Sequence, residues 1–531
     1  MTRPSETDTE IAIIGAGPTG LMLANLLGQS GVRTMILERR DEPFTEPRAI
    51  AFDPETLRLF QTVGCYDELA ESLELDVPVL YVNASGKTLT HITECPPSYG
   101  HSGRGTYYQP ELEQALMSGL SRRDSVSLRR GVEVESVTDN GEHVELTVRA
   151  NSSAAETVSA KYVVDCSGGG SRIRKGLGIG FAGDTYREKW LVIDVQGDDY
   201  PGREIRFFCD PNRPAVTLPV SKNRRRWEFL VMPGDDEVEL ASEESARALM
   251  ATYGAGNAEY IERSLVYTFH ARFADQFRLG RVLLAGDSAH VMPPFAGQGL
   301  NSGMRDAANL AWKLAGVIDG RFDDQILGSY DPERRPHIED MTKLTIRLGQ
   351  SIMPTNQIKA WFRDRMMLTS WRFASVRRKV NRGDMIPKPS IKGSSLVNWD
   401  GAGSVGRMLE QPQITTKSGS QVLLDELIGA GFVALGLNCR VEEALHKEDL
   451  RTLTALNARS VSISTAPEHP LDGLDTDGVL RRFAHTEKAI LVLRPDRFVI
   501  DVFAPDPNAP QLAWLEQAYQ LASDPLVEPS Q

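Results

Sequence analysis

Short apolar runs alternate with stretches of helical periodicity through most of the chain, and that alternation predicts an α/β fold. Residues 11–14 (IAII) read as a buried strand, 21–31 as part of a helix and 34–37 as a second strand, the start of a doubly wound sheet. A hairpin-like pair is expected near 132–148. From about 190 to 272 the text changes to short alternating or apolar runs (LVIDVQG, EIRFFCD, AVTLPV, RRWEFLVM, SLVYTFHARF) joined by Pro, Gly and charged turns, which predicts a separate β-sheet. An apolar strand at 282–285 returns the chain to the first sheet, and helical patterns follow to about 380. A Pro/Gly/Ser-rich stretch reads as a linker, and beyond it runs at 422–425, 432–435, 460–463 and 489–493 alternate with helical segments. The expected boundaries are 1–185 and 276–385 for two interleaved parts of one domain, 186–275 for the sheet domain, 386–404 for the linker and 405–531 for a C-terminal domain.

The turn after the first strand is Gly15-Ala16-Gly17-Pro18-Thr19-Gly20, and the second strand ends in Glu38-Arg39. Such a spacing suits a dinucleotide: Gly15 makes the turn, Gly17 lets backbone approach a pyrophosphate, Gly20 allows close helix packing, and Glu38 accepts ribose hydroxyls. NAD and FAD both use this fingerprint. A second run, at 281–314, brings Gly286-Asp287 to a strand's carboxyl end, and Pro293-Pro294 precedes Gly297-Gln298-Gly299-Leu300-Asn301, which opens an amphipathic helix. The N–H groups and positive end of that helix suit a buried group carrying negative charge. An acid so far from the first motif favours FAD, whose extended form must be gripped along its length.

Composition narrows the setting. At 531 residues with 41% hydrophobic content, the chain can bury large cores in about three domains. A net charge of −13 argues against nucleic acid as a partner. The basic clusters Arg224-Arg225-Arg226 and Arg377-Arg378-Lys379 read as solvated faces. The five cysteines (Cys65, Cys95, Cys166, Cys209, Cys439) lack CxxC spacing, which suggests no disulfide framework and no metal site. The start MTRPSETDTE has no apolar signal core, and no run approaches the ~20 apolar residues of a membrane span, so a cytoplasmic protein without a membrane partner is expected.

The run at 281–314 resembles the second flavin-binding motif of the single-component FAD-dependent aromatic hydroxylases (class A flavoprotein monooxygenases). Glu46-Pro47-Arg48-Ala49-Ile50 resembles their arginine-bearing loop across the cofactor, and Tyr108-Gln109-Pro110-Glu111-Leu112 their helix start whose Gln touches it. The resemblance implies a Rossmann-like FAD-binding domain interleaved with a substrate-covering sheet. It also implies FAD contacts from Gly15, Gly17, Pro18, Thr19, Gly20, Glu38, Arg39, Arg48, Gln109, Asp287, Pro294, Gly297, Gly299, Leu300 and Asn301. The segment at 163–174 lines up with the family's DG motif but carries Ser167 where an Asp is usual, which puts the efficiency of nicotinamide use in doubt; Asp165 is a candidate substitute. The tail is similar to the thioredoxin-like domain of the phenol hydroxylase branch, and without CxxC it is expected to be redox-inert.

The activity implied is ortho-hydroxylation of a phenolic substrate, in the manner of a 3-hydroxyphenyl acid, to a catechol. NADH or NADPH and dioxygen are the co-substrates, and a flavin hydroperoxide delivers the oxygen. Candidate substrate-side residues are Pro294, whose carbonyl would meet the substrate hydroxyl, the titratable groups His290, His270 and Tyr267, and Arg213 as a carboxylate clamp. Asp53, before Pro54, reads first as a helix N-cap. Epoxidation, Baeyer–Villiger chemistry, a non-catalytic FAD-binding regulatory role and assembly as a homodimer are left open; halogenation is disfavoured because no WxWxIP run occurs among the seven Trp.

Overall fold

The run IAII becomes the strand Thr9–Ile14, which pairs in parallel with Thr34–Glu38 on one side and Glu156–Asp165 on the other. Its side chains alternate between two apolar clusters, Ile11 and Ile13 packing on one face and Ala12 and Ile14 on the opposite face. Burying one such Ile is worth about 1.5–3 kcal/mol, which is why this strand reads as continuous apolar sequence. Val126–Arg130 and Val282–Leu284 extend the parallel sheet outward, and the hairpin Val132–Asp139 with Val144–Ala150 attaches to Glu156–Asp165. The carboxyl ends of these strands therefore bring Gly15, Glu38, Cys166-Ser167 and Asp287 to one edge. The computed structural model describes residues 7–93, 96–150, 154–399, 403–466 and 471–521; Cys95 and the first residues of the chain lie outside them.

The second sheet has eight strands, ordered His290–Val291, Tyr260–Ala274, Phe181–Gln196, Arg224–Leu230, Ala215–Val220, Ile205–Cys209, Val79–Asn83 and Thr88–Ile92. It draws strands from well before and just after the 186–275 window expected for it. All its pairings are antiparallel except Ile205–Cys209 with Val79–Asn83. One face carries Trp190, Phe207, Val216 and Leu218 in a cluster with Phe295 and Ile352, and this face is turned toward the first domain.

A third, seven-stranded sheet, with Arg459–Ser464 at its centre and Val433–Leu437 beside it, closes the C-terminal part. The stretch expected to be a linker is instead packed down. Ile391, Leu396 and Val397 are buried, the Asn398 amide donates to the Ile500 carbonyl (2.9 Å), and the Ser394 hydroxyl donates to Glu333 Oε1 (2.8 Å). Glu333 also takes both guanidinium nitrogens of Arg494 (2.9 and 3.0 Å) and the Lys313 ammonium (2.8 Å), all fully buried. Removing one member of such a network costs about 3–5 kcal/mol, so the C-terminal part is welded to the first domain.

Candidate active site

A cavity of about 1350 Å³ runs along the carboxyl edge of the parallel sheet and under the second sheet. That exceeds the ~300–1,000 Å³ of a site for one drug-sized ligand, leaving room for an extended cofactor and a substrate together. At one end lie Gly15 to Thr19. Gly15 has φ +103°, and a Cβ there would sit 2.7 Å from the Cys166 carbonyl oxygen. Gly17 has nothing within 4 Å of its missing Cβ and faces the cavity. Gly20 does not line it: a Cβ at Gly20 would meet the Gly15 carbonyl oxygen at 2.2 Å, so the residue sets the closeness of helix Pro18–Gln29 to the turn. Glu38 takes the Ala16 amide on one carboxylate oxygen (2.8 Å) and the Arg40 amide on the other (3.0 Å), which leaves lone pairs for hydroxyl donors. Arg39 lines the same end.

The middle of the cavity is crossed by the loop 46–50. Gln109 Oε1 accepts the Arg48 and Ala49 amides (2.9 and 2.8 Å), while its Nε2 donates to Glu113 (2.8 Å), whose carboxyl burial pushes up to about 7. Arg48 stacks over Phe44 at 4.5 Å. From the second sheet, Arg226 donates to the Arg48 carbonyl (2.9 Å) and to the Pro47 carbonyl (2.5 Å), and Arg263 donates to the Pro47 carbonyl (2.6 Å). Both guanidiniums share the buried carboxylate of Asp194, at 2.6 and 3.0 Å from Arg226 and 2.7 Å from Arg263. This clamp corrects the reading of Arg224-Arg225-Arg226 as a solvated face. Arg225 and Arg226 are buried on opposite faces of their strand, Arg225 against Asp198 and Arg226 against Asp194, because the sheet is covered on both sides.

Asp287 faces the cavity from the turn after Val282–Leu284, where enclosure raises its carboxyl above the ordinary value while Arg48 opposes the rise. The turn is held from behind: Asp306 accepts the Gly286 amide (3.0 Å), His290 Nε2 lies 2.6 Å from the same oxygen, and Arg334 donates to the other oxygen at 2.8 Å. His290 is thus a fully buried brace and does not line the cavity. Gly297, Gln298, Gly299 and Leu300 present the start of helix Gln298–Ile318 to the cavity, with Gly299 open to it. Asn301 points away. Its amide donates to the Gly297 carbonyl (2.7 Å) and its oxygen accepts the Thr56 hydroxyl (2.6 Å), fixing the loop that precedes the helix. Asp53 caps helix Pro54–Thr62 through the Thr56 amide (3.0 Å) and also pairs with Arg305.

In the altered motif, Ser167 lines the cavity, whereas Asp165 is fully buried and spends its oxygens on the Ser167 amide (2.9 Å) and the Ser171 hydroxyl (2.5 Å). Asp165 therefore does not replace a cavity carboxylate at 167. Of the five substrate-side candidates, Pro294 and Tyr267 line the cavity; the Tyr267 hydroxyl accepts from Arg263 at 3.0 Å. His270 faces the other way on its strand and contacts the Thr185 hydroxyl at 3.0 Å. Arg213 is bound to both oxygens of Asp235 (2.7 and 3.0 Å) outside the cavity, so it is no carboxylate clamp here. Glu228 enters the cavity wall unannounced, two positions from Arg226 on the same strand. The alternation R-R-R-W-E-F-L was the available signal, since it puts residues 224, 226 and 228 on one face.

The two glycine-lined ends, the cavity-facing acids Glu38 and Asp287 and the helix start between them make a donor and acceptor set that fits FAD. Comparison with known proteins agrees. Residues 8–345 match the family model described as FAD binding domain, and residues 406–518 match the HcaD C-terminal domain. The chain is 38% identical over 519 residues to 3-(3-hydroxy-phenyl)propionate/3-hydroxycinnamic acid hydroxylase 2 of Burkholderia vietnamiensis, covering 94% of each. It is 36% identical to the corresponding hydroxylase of Klebsiella pneumoniae, over 97% of this chain and 95% of that one. Its fold is similar to aklavinone-11 hydroxylase crystallised with FAD and aklavinone (TM-score 0.79, 21% identity, 97% and 100% coverage). The flavin-dependent monooxygenase PieE, crystallised with FAD and substrate, is similar as well (TM-score 0.81, 18% identity, 98% and 100% coverage).

Proposed function

The chain belongs to the family of FAD-dependent aromatic hydroxylases, and from that premise we propose that its substrate is a 3-hydroxyphenyl carboxylic acid, hydroxylated ortho to its phenol to give a catechol. It is an aromatic monooxygenase that binds FAD and consumes NAD(P)H and dioxygen. The observation that carries the choice of substrate is the length of the match. Identity of 38% extends over 94% of both chains, so it includes the second sheet that covers the substrate side.

We assign the pyrophosphate to the backbone of Gly15 to Thr19, a ribose to Glu38, the ribityl chain to Asp287 and the flavin ring to the helix start at Gly297 to Leu300 and to Pro294. FAD, when bound, would carry electrons from NAD(P)H to dioxygen and activate it, so that one of the two dioxygen atoms can pass to the substrate. The positive helix end favours negative charge beside it by about 0.3–1 kcal/mol. The clamp of Asp194, Arg226 and Arg263 keeps the loop 46–50 in place across the cavity, which fixes the distance between cofactor and substrate; misplacement by ~1 Å can cost about 10²-fold in rate. Phe207 and Phe269 from the sheet, Phe295 from the turn before helix Gln298–Ile318, and Met341, Leu348 and Met367 from the helices Tyr330–Ile352 and Gln357–Ser370 make an apolar chamber that holds the ring and excludes water.

No helix among the described residues is long and apolar enough to cross a membrane. We read the protein as cytoplasmic, where NAD(P)H is at hand, and its C-terminal sheet as a thioredoxin-like module without redox chemistry. Burial raises the Cys439 thiol above its ordinary value, against thiolate reactivity. The test is incubation of the flavoprotein with NADH or NADPH, dioxygen and a panel of simple phenols, 3-hydroxyphenyl acids and non-aromatic ketones, with products identified by mass. The propionate or cinnamate acid should gain one oxygen on its ring and stimulate NAD(P)H oxidation. Oxygenation confined to ketones, or to phenols without an acid chain, would overturn the assignment.

A further inference from the structure

We propose that Glu228 accepts the proton of the substrate's phenolic hydroxyl and thereby selects phenols over unhydroxylated rings, an inference that rests on the hydroxylase reading. Glu228 sits on strand Arg224–Leu230, where its cross-strand neighbours are Val192 and Val216, and all three line the cavity. The carboxylate is thus set in an apolar wall. Among the described residues no hydrogen bond reaches it. Asp194, the acid two pairs further along the adjoining strand, is by contrast fully occupied by two guanidiniums.

The carboxylate is partly buried and opens onto the cavity without a donor from the protein on it, so a ligand that donates a hydrogen bond there is favoured. Burial raises its carboxyl above the ordinary value; Arg226 and Arg263 pull it down and Asp194 pushes it up. Tyr267, also on the cavity wall, is turned to Arg263, and Tyr81 lines the cavity from the same sheet face three strands from Glu228. The surroundings select the kind of donor. Two cations already stand beside Glu228, so a further cationic ligand is disfavoured, while a neutral O–H donor satisfies the carboxylate without adding charge.

The step balances without any added reagent. As the ring carbon ortho to the hydroxyl takes up oxygen, the phenolic O–H bond breaks and its proton passes to a Glu228 carboxylate oxygen. The electron pair left on the phenol oxygen moves into the ring and raises the nucleophilicity of that carbon. When the ring regains aromaticity its displaced C–H proton passes to solvent, and Glu228 returns the phenolic proton to the oxygen it came from, which gives the catechol and restores the carboxylate. Raising the affinity of a carboxylate for protons brings it nearer to the phenol it must deprotonate, the direction a general base requires.

Glu228→Gln keeps the shape of the side chain and removes the base, and retention of the flavin spectrum and of FAD content checks that the variant folds. Two readouts separate this inference from the function it rests on. In the first, the catechol formed per NAD(P)H consumed is measured with 3-(3-hydroxyphenyl)propionate. The hydroxylation rate should fall by about 10²-fold or more, the usual scale for loss of a general base, with NAD(P)H then yielding hydrogen peroxide, and Glu228→Asp should recover part of the loss. In the second, a nitrophenol, coloured as its phenolate, is titrated while bound to the oxidised enzyme. In the wild type the neighbouring carboxylate holds the probe in its phenol form to higher pH, so its apparent pKa should drop by about 1 unit or more in Glu228→Gln. Failure of the wild type to hydroxylate any phenol would sink the function itself. A wild type that hydroxylates, with unchanged yield and unchanged probe titration in Glu228→Gln, would overturn the role of Glu228 alone.

Discussion

Replacing Asp194 with Asn tests whether the second sheet holds the cofactor-crossing loop through buried charge. The carboxylate serves three guanidinium N–H contacts, at 2.6, 2.7 and 3.0 Å, from two buried arginines. Asn fills the same space but removes the negative charge and turns an amide N–H toward one guanidinium. Arg226 and Arg263 are then two like charges with less than a tenth of their surface exposed. Leaving a buried charge uncompensated costs about 3–5 kcal/mol. Glu228 nearby offsets part of that, so the lower end, ~3 kcal/mol, is the expected total, divided between global stability and retention of the loop at Pro47 and Arg48. At ~1.4 kcal/mol per tenfold, assigning half of it to the loop weakens FAD binding by about tenfold. Urea unfolding of the apoprotein and FAD titration by fluorescence quenching measure the two shares. Asp235→Asn, which breaks the partly exposed pair with Arg213 outside the cavity, is the control and should cost less stability than Asp194→Asn and leave FAD affinity unchanged. Asp194→Asn shifting neither quantity by more than the control would refute the clamp.

Three further outcomes are expected. Glu113→Gln should flatten the pH dependence of stability: burial raises the Glu113 carboxyl to about 7, so the stability it contributes is complete below its unfolded pKa and lost as pH rises to about 7. The wild type should therefore lose up to about 3 kcal/mol relative to the variant between pH 4.5 and 7, read by denaturation at several pH values, and parallel curves would contradict the shift. Asp287→Ala should leave folding intact and reduce FAD retention on gel filtration, since its carboxylate faces the cavity while Asp306 and His290 hold the turn; full occupancy would count against the ribityl assignment. Ser167→Asp, which places a carboxylate where Asp165 does not reach, should speed stopped-flow flavin reduction by NAD(P)H at unchanged FAD content, and equal rates would dismiss it.

The parts of the site that can be read from sequence are those in which a short segment carries its own geometry. The strand, turn and helix around Gly15 to Gly20 and the strand, acid and helix start around Asp287 are local units, so spacing alone brings their groups to a sheet edge. Long-range register is different. Nothing in the text distinguishes Arg213, tied to Asp235, from Arg226, tied to Asp194, until strands Phe181–Gln196 and Arg224–Leu230 are aligned with Asp194 opposite Arg226. The same register hides Glu228 and turns His270 away from the cavity. Asp165 and Ser167 share one strand end, yet the tight turn buries the first and exposes the second. The stretch 386–404 has a linker's composition, but Ile391, Leu396 and Val397 find apolar partners that composition does not disclose.

Reaction under ¹⁸O₂ tests the central claim most directly. The flavoprotein, NADH or NADPH and 3-(3-hydroxyphenyl)propionate are incubated under labelled dioxygen, and the aromatic product is examined by mass spectrometry. The account predicts a catechol carrying one labelled oxygen on the ring, formed in proportion to the NAD(P)H consumed. A product whose new oxygen comes from water, or NAD(P)H oxidation that leaves every phenol unlabelled, would contradict it.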